Sequence, residues 1–274
     1  MAGGAADAGP EESGLRGLRS AAVAALLLAA APSAAEASAW AQPKGRGQLI
    51  LKWEAMQATQ GFDPSGVIVD LPGARTDRAL GVFAEYGLTE SLTFQFKGDW
   101  QNGEDFFVDY EGRGPAEIGL TWQAYRDDRT AVSLYAGYAD AGDGRNAGYA
   151  APGQGEGDWE VRASIGRNLQ GVGGPWTPER SFVEVQTARR MRSGLPDETR
   201  IDLTAGGHFG ADWMVLGQAF GGMTDDDGAR WLSVETSVVR RLGDWSVQAG
   251  WRRAVAGRET PQSEGLVLAV WRRF

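Results

Sequence analysis

The sequence has no cysteine and a single His, so a thiolate site is impossible and any histidine chemistry must use His208. Histidine is the commonest general base, but that role needs a nucleophile or an acidic partner within hydrogen-bonding reach. His208 is followed by Phe209 and Gly210, so no hydroxyl group stands in the next two positions. The sequence therefore predicts that His208 is a polar residue bonded to a neighbour, not a catalytic base.

Two acidic clusters, Asp225–Asp227 and Asp140–Gly144, carry the oxygen ligands that Ca²⁺ prefers. Neither has the spacing of an EF-hand loop, so we expect solvated loop charge. The sequence has no phosphate-binding glycine loop, no zinc-ligand pattern and no basic stripe for nucleic acid. It therefore predicts no metal site, no cofactor, no nucleic-acid partner and no enzymatic activity.

The elements that must position the charged residues follow a period of two, which is typical of β-strands. In Leu92–Trp100, Phe94 and Phe96 alternate with Thr93 and Gln95. Twelve such segments recur, each close to the ~10 residues that cross an outer membrane when tilted. The predicted strands are Gln48–Gln57, Arg78–Tyr86, Leu92–Trp100, Gly114–Tyr125, Thr130–Ala139, Asp158–Arg167, Arg180–Arg190, Thr199–His208, Asp212–Gly221, Arg230–Arg241, Asp244–Ala256 and Glu264–Phe274.

The connections separate a transmembrane barrel from a soluble β-sandwich, which shares the alternation. They alternate short and long: Gly87–Ser91 and Arg126–Arg129 are short, and Gln101–Arg113 and Asp140–Gly157 are long. Asn168–Pro178 is the exception, being long for a turn that should be periplasmic. Short periplasmic turns and longer outer loops are expected of an outer-membrane barrel. The predicted fold class is all-β, a transmembrane antiparallel up-and-down β-barrel of about 12 strands.

Aromatic residues at the strand ends support the same fold. Two belts of such residues are what the interfaces of a bilayer select. Among the alternate strand residues that form the apolar face, the predicted periplasmic belt consists of Tyr86, Trp122, Trp213, Trp245 and Phe274. The predicted outer belt consists of Trp100, Tyr138 and Trp159. The mean hydropathy is −0.33 and no apolar run approaches the ~20 residues of a membrane helix, so a helical membrane protein is excluded.

The N-terminal region has the pattern of an export signal. Arg16 and Arg19 precede the apolar run Ala21–Ala31, which is too short to span a bilayer. Ala37-Ser38-Ala39 and Ala39-Trp40-Ala41 are candidate cleavage sites, and we favour cleavage after Ala41. The predicted organisation is a signal peptide over residues 1–41 and a barrel over residues 42–274.

The last strand ends on Phe274, with Leu266, Leu268 and Val270 on the same parity. It resembles the C-terminal signal of bacterial outer-membrane β-barrel proteins, although Arg272 stands where an aromatic residue is usual. The resemblance implies that this strand closes the barrel and that Phe274 is an assembly signal read by the barrel assembly machinery. It also implies location in the outer membrane of a Gram-negative bacterium.

Two further segments carry a looser resemblance. Tyr86-Gly87-Leu88-Thr89-Glu90-Ser91-Leu92 and Gly112-Arg113-Gly114-Pro115-Ala116-Glu117-Ile118-Gly119-Leu120 resemble segments of putative barrel transporters associated with aromatic-compound degradation. A barrel hydrolase is a more distant possibility. Barrel phospholipases place Ser two residues after a catalytic His, and omptin-like proteases keep an Asp-His couple at the outer rim, whereas His208 is predicted near the periplasmic end.

The polar parity carries the residues most informative about function. A charge in the lumen must be solvated or paired, because a bare charge in a low dielectric is very costly. The predicted lumen-lining residues are Lys52, Glu54, Glu85, Lys97, Asp99, Glu117, Glu160, Arg162, Glu184, Asp202, Glu235 and Arg252. We interpret the chain as a narrow passive channel for small solutes, whose charges set a field and a size limit. The alternative is a non-conducting structural or surface-interaction barrel with a lumen plugged by side chains, because about twelve strands permit either.

The outer surface is predicted to contact lipopolysaccharide. The six predicted outer loops contain sixteen acidic residues and six Arg. Arg189 and Arg253 fall on the lipid-facing parity near the outer strand ends, where a guanidinium can reach the interface and bind phosphate. We expect both to contact lipopolysaccharide, and the acidic loops to bridge to it through divalent cations. The predicted loops are 58–76, 101–113, 140–157, 191–199, 222–230 and 257–264.

Overall fold

A computed structural model describes residues 39–170 and 177–274. This part of the chain is all β-structure, and it contains no helix long and apolar enough to cross a membrane. The strands are β1 (Gly47–Phe62), β2 (Ile68–Gly87), β3 (Leu92–Glu104), β4 (Asp109–Arg113), β5 (Ala116–Arg126), β6 (Thr130–Asp140), β7 (Gly157–Gln170), β8 (Arg180–Arg192), β9 (Glu198–Phe209), β10 (Trp213–Thr224), β11 (Arg230–Leu242), β12 (Trp245–Arg258), β13 (Thr260–Pro261) and β14 (Glu264–Arg273).

The long strands form a closed antiparallel barrel in which each strand pairs with its neighbours in the chain. The ring closes because β1 pairs with β2 on one side and with β14 on the other. Twelve strands make the wall, and the short β4 and β13 extend it at one end. The predicted up-and-down barrel of about twelve strands is therefore confirmed. We call the end near Gly47 and Phe274 the periplasmic end and the opposite end the outer end.

The wall is inverted relative to a soluble protein, with apolar side chains outside and polar ones inside. Neighbours on β7 illustrate this, since Trp159 is 60% exposed and Glu160 is 2% exposed. The outward faces of the other strands carry exposed Leu, Ile and Val, whereas Gln, Ser, Thr and Glu are buried. A soluble sandwich buries its apolar face, so this alternative is excluded for the described residues. All eight predicted belt aromatics are exposed on the outside.

The first hairpin differs from the prediction of a long outer loop over 58–76. β1 and β2 continue to Phe62 and Ile68, so a five-residue turn separates them. The register shifts beyond Ala58, so that Pro72 and Gly73 fall in a bulge where no ladder N–H is needed. The bulge interrupts the regular alternation of residues, and the predicted strands Gln48–Gln57 and Arg78–Tyr86 therefore stop short of the turn.

The other outer connections have more structure than expected. The predicted loop 101–113 contains the end of β3 and all of β4, and the predicted loop 257–264 contains the end of β12 and all of β13. The described periplasmic turns are short, as predicted. Most of the predicted signal peptide and part of the predicted turn Asn168–Pro178 lie outside the described residues.

Candidate functional site

Ion pairs cover one side of the lumen on strands β3, β5, β7 and β8, toward the outer ends of β5, β7 and β8. Their centre is Glu117 on β5, whose carboxylate is 2.8 Å from Nζ of Lys97 and 2.6 Å from Nη2 of Arg190. The hydroxyl of Tyr135 donates to the same carboxylate at 2.7 Å. Glu117 is thus a buried charge with two cations and one hydroxyl, which offsets the cost of its desolvation.

Arg190 links Glu117 to a second carboxylate on the neighbouring strand. Its Nη2 lies 2.8 Å from Oε2 of Glu160, and Arg162 also bonds Glu160. The guanidinium of Arg162 lies over the ring of Tyr135, 4.8 Å from its centroid. Charges therefore alternate in sign along this wall instead of gathering one sign at a constriction.

The network continues toward the outer end through Arg192. This side chain lies 3.1 Å from Asp158 and also bonds Glu198, while Arg200 lies 3.0 Å from Glu198. The hydroxyl of Tyr149 donates to Glu198 at 2.6 Å. Burial and the Glu198 charge raise the pKa of Tyr149, so its hydroxyl stays a donor at neutral pH.

A second set of ion pairs lies where β1, β11 and β12 face the lumen. Arg252 lies 2.9 Å from Glu54 and 2.7 Å from Glu235, and Lys52 lies 3.1 Å from Glu54. β14 stands between β12 and β1, and its residue in register with Arg252 is Gly265. A Cβ at Gly265 would lie 1.8 Å from the Ala55 carbonyl oxygen, so glycine is required there for the close approach of β14 to β1.

The other predicted lumen-lining residues contact mainly amide groups in the described part of the chain. Glu85 accepts from the side-chain amides of Gln42 and Gln95 at 2.9 and 2.7 Å. Glu184 accepts from Gln186 and from the backbone N–H of Ala39. Asp99 accepts from Gln101 at 3.0 Å, and Asp202 is half-buried in register with Gln186 and Phe220.

An apolar cluster at the periplasmic end of the lumen was not predicted. It consists of Phe182, Met214, Leu216, Val239, Ala269 and Trp271, with Trp40 and Ile50 packed against it. His208 lies beside it, with its ring 6.5 Å from that of Phe182. His208 lies on β9 near the periplasmic end, as the sequence predicts. The aromatic ring beside it, that of Phe182, is apolar.

The N-terminal segment enters the lumen at this end. The side-chain amide of Gln123 donates to the Ala39 carbonyl at 2.9 Å, and the Gln42 N–H donates to the Thr93 hydroxyl at 2.9 Å. The indole of Trp40 meets Phe182 edge-on, with ring centroids 6.5 Å apart. Residues 39–42 therefore narrow the periplasmic end of the barrel.

The outer end is narrowed by the connection between β6 and β7, residues 141–156, which we call the inward loop. Its Arg145 lies 2.8 Å from Asp105 and 3.4 Å from Asp77, and its guanidinium covers the ring of Tyr110. The side chain is 7% exposed. On the opposite side, Tyr149 lies 5.9 Å from the ring of Trp231 and bonds Glu198 on β9, so the loop reaches strands on both sides of the mouth.

Sequence reasoning missed the residues that connect these networks. These residues lie at inward positions of β7, β8 and β9, and they are Asp158, Arg190, Arg192, Glu198 and Arg200. The alternation along β8 indicates their position, because Arg190 and Arg192 are an even number of residues from Glu184 and therefore lie on the same, inward face. The seventh predicted strand ends at Arg190 and residues 191–199 are predicted to form a loop, so the prediction places Arg192 and Glu198 outside the barrel wall.

The predicted surface residues have partners within the chain. Arg189 donates to Asp225 at 2.6 Å and lies 3.0 Å from Asp197, and Arg253 lies 3.6 Å from Glu264. Asp140 is bonded by Arg113. Over residues 39–170 and 177–274, no group of three or more His, Asp or Glu residues is placed to hold a metal ion. Contact with lipopolysaccharide stays a prediction.

Comparisons with known proteins support the fold. No protein-family model matches the sequence, and no curated protein sequence does either. Among solved structures, an outer membrane channel from Pseudomonas putida F1 is similar with a TM-score of 0.64 and 13% identity, covering 86% of this chain and 97% of that one. The NanC porin gives 0.52 at 7% identity, covering 81% and 98%. The KdgM porin gives 0.50 at 6% identity, covering 83% and 99%. The chain thus has the fold of bacterial outer-membrane β-barrels.

Proposed function

We propose that this protein resides in the outer membrane and is a narrow passive channel for small solutes. The observation that carries the proposal is the charged lining of the lumen, from Lys52, Glu54 and Arg252 on one wall to Glu117 and Arg190 on the other. A polar interior inside an apolar exterior gives water and small polar solutes a path that the bilayer denies them. The fold is shared with proteins described as channels and porins, which supports the same function.

Paired charges would set the selectivity of such a channel. Because cations and carboxylates alternate along the wall, a solute would meet donors and acceptors in turn instead of one strong field. Such a lining favours small solutes with both donor and acceptor groups over highly charged ones. The residues with the greatest influence would be Glu117 and Glu160, since both are buried carboxylates that each contact more than one cation of the lumen wall.

The second candidate function is a non-conducting structural or surface-interaction barrel. It is favoured by one observation, namely that the inward loop and the segment 39–42 narrow both ends. In that case the ion pairs would be a side-chain plug, and the outer loops would be the working part.

Single-channel recording distinguishes the two functions. We expect the refolded protein in a planar bilayer to give small, steady conductance steps, and Glu160→Gln to change the ion preference measured as a reversal potential. Glu160→Lys should shift the preference further toward anions. Glu90→Lys is the matched control, because Glu90 is exposed in a periplasmic turn. Absence of conductance, or conductance and selectivity that ignore both Glu160 changes, would favour the plugged barrel.

A further inference from the structure

The position of the Trp40 side chain in the lumen indicates where the leader peptide is cleaved from the exported chain. The indole occupies a position that only a glycine on β7 allows, because a Cβ at Gly166 would lie 2.2 Å from its ring carbons. The ring of Phe182 meets the indole edge-on, with ring centroids 6.5 Å apart. Cleavage after Ala41 would remove Trp40 and leave a cavity beside the apolar cluster. Interiors are close-packed, so such a gap would forfeit many contacts.

The surroundings of Ala39 fit a charged amino terminus. Ala39 is 0% exposed, and its two described polar partners are the Glu184 carboxylate, 3.3 Å from its N–H, and the Gln123 amide at its carbonyl. The Trp40 nitrogen is bonded to the Ala39 carbonyl carbon, about 1.33 Å away, so it lies beside the oxygen that Gln123 contacts and one residue from the nitrogen that Glu184 contacts. Removing Ala39 would leave space beside the Glu184 carboxylate, where a positively charged ammonium group would be stabilised by the opposite charge.

We propose that the exported chain is processed between Ala39 and Trp40, and that the new α-ammonium of Trp40 occupies the site bounded by Glu184 and Gln123. A leader peptidase would hydrolyse the Ala39–Trp40 peptide bond with one water molecule. The carboxylate stays on the leader at Ala39, and the amine, protonated, stays on Trp40. Ala37 and Ala39 supply the small residues that such a peptidase requires.

The buried terminus fixes the segment in the lumen. The α-ammonium would donate to Glu184, and the amide of Gln123 would turn its oxygen toward it, while Gln42 keeps its bonds to Thr93 and Glu85. The indole of Trp40 then stays over Gly166. The processed N-terminus is thus a built-in part of the periplasmic end of the lumen, whether or not the barrel conducts.

The first test is the N-terminus of the mature protein. The full chain is expressed with its leader in a Gram-negative host, and the folded barrel is extracted from the outer membrane for N-terminal sequencing and intact mass. We expect the sequence Trp40-Ala41-Gln42. A chain that begins at Gln42, or at any other residue, overturns the proposal.

The second test is the contact of the ammonium with Glu184. Chains beginning at Trp40 and at Gln42 are refolded, each with and without Glu184→Gln, and thermal midpoints are compared. We expect the substitution to lower the midpoint of the longer chain by several degrees and that of the shorter chain by clearly less. Glu90→Gln is the control and should leave both midpoints unchanged. Equal losses from Glu184→Gln in both chains would contradict the contact. Neither readout needs conduction, so the outcome is separate from that of the proposed channel.

Discussion

Arg190 on β8 and Glu117 on β5 form an ion pair at 2.6 Å although β6 and β7 separate their strands in the wall. The bond therefore runs inside the barrel as a chord and does not follow the ladder between neighbouring strands. The side chain of Arg190 is 5% exposed and that of Glu117 is 2% exposed. Such a pair is shielded from bulk water, so we infer that it braces the barrel from inside.

Arg190→Gln should destabilise the barrel, because it leaves Glu117 and Glu160 with fewer cations in a buried setting. Removing one partner of a buried pair costs about 3–5 kcal/mol. The measurement is the free energy of unfolding in urea with neutral detergent micelles. Arg253→Gln is the control, since its pair with Glu264 is exposed and worth about 0–1 kcal/mol. Similar losses for the two variants would show that the chord does not brace the barrel.

The inward loop should open when Arg145 is replaced. Arg145→Ala removes the bonds to Asp105 and Asp77 that hold the loop over the mouth. We expect cleavage of residues 141–156 by an added protease to become several-fold faster and, if the protein conducts, the conductance to rise. Arg230→Ala is the control, because Arg230 is exposed and pairs with Asp227 in a different outer connection. Unchanged protection of the loop in Arg145→Ala would contradict this role.

Acid should weaken the same closure. Burial raises the pKa of Asp105, but the N–H groups of Phe107 and Val108 and the Arg145 guanidinium outweigh it and hold this pKa below its usual range. A carboxyl with a lowered pKa contributes stability that is present at neutral pH and is lost as the pH falls through the lowered value. Asp77 and Tyr110 also face Arg145. We expect cleavage of the inward loop to accelerate with acid in the wild type and to be less pH-dependent in Asp105→Asn.

The barrel could be predicted from the sequence because its determinants are local. Alternation along β3 assigns Phe94 outside and Gln95 inside without knowledge of the neighbouring strand. A closed barrel of antiparallel neighbours then follows from the order of strands and the lengths of turns. The twelve predicted strands agree with the structure to within a few residues over most of the wall.

The contacts within the lumen could not be predicted because they join residues far apart in the chain. Nothing near Arg145 in the sequence indicates Asp77 as its partner, and nothing near Trp40 indicates Gly166. Parity gives the face on which a side chain lies, but not its depth or its direction across the lumen. The chord between Arg190 and Glu117 is therefore a property of the closed ring.

Phe274 should matter for biogenesis. Its N–H donates to the Gly47 carbonyl at 3.0 Å and its carbonyl accepts from the Gly47 N–H at 2.9 Å, so this residue joins the last strand to the first. Deleting Phe274 should reduce the folded, heat-modifiable form in the outer membrane several-fold, and Phe274→Tyr should preserve it because an aromatic end is retained. Assembly of the truncated chain at the wild-type level would show that the terminal residue is not read.

Arg189 and Arg253 remain predicted contacts of lipopolysaccharide, and the structure sharpens the test. Arg189 is held by Asp197 and Asp225, whereas the 3.6 Å separation of Arg253 from Glu264 leaves its guanidinium freer to bind a phosphate. Arg253→Gln should therefore lower the thermal midpoint in micelles containing lipopolysaccharide by a few degrees, with no change in neutral detergent.

The double variant Arg189→Gln, Arg253→Gln should have a still lower thermal midpoint in the lipopolysaccharide micelles. Chelation of divalent cations should lower it further, because the acidic loops would no longer be bridged to the lipid. Arg240→Gln at the periplasmic end, where Arg240 covers the ring of Trp213, is the matched control. Equal losses in both media would mean that these arginines stabilise the barrel through their own carboxylate partners, not through the lipid.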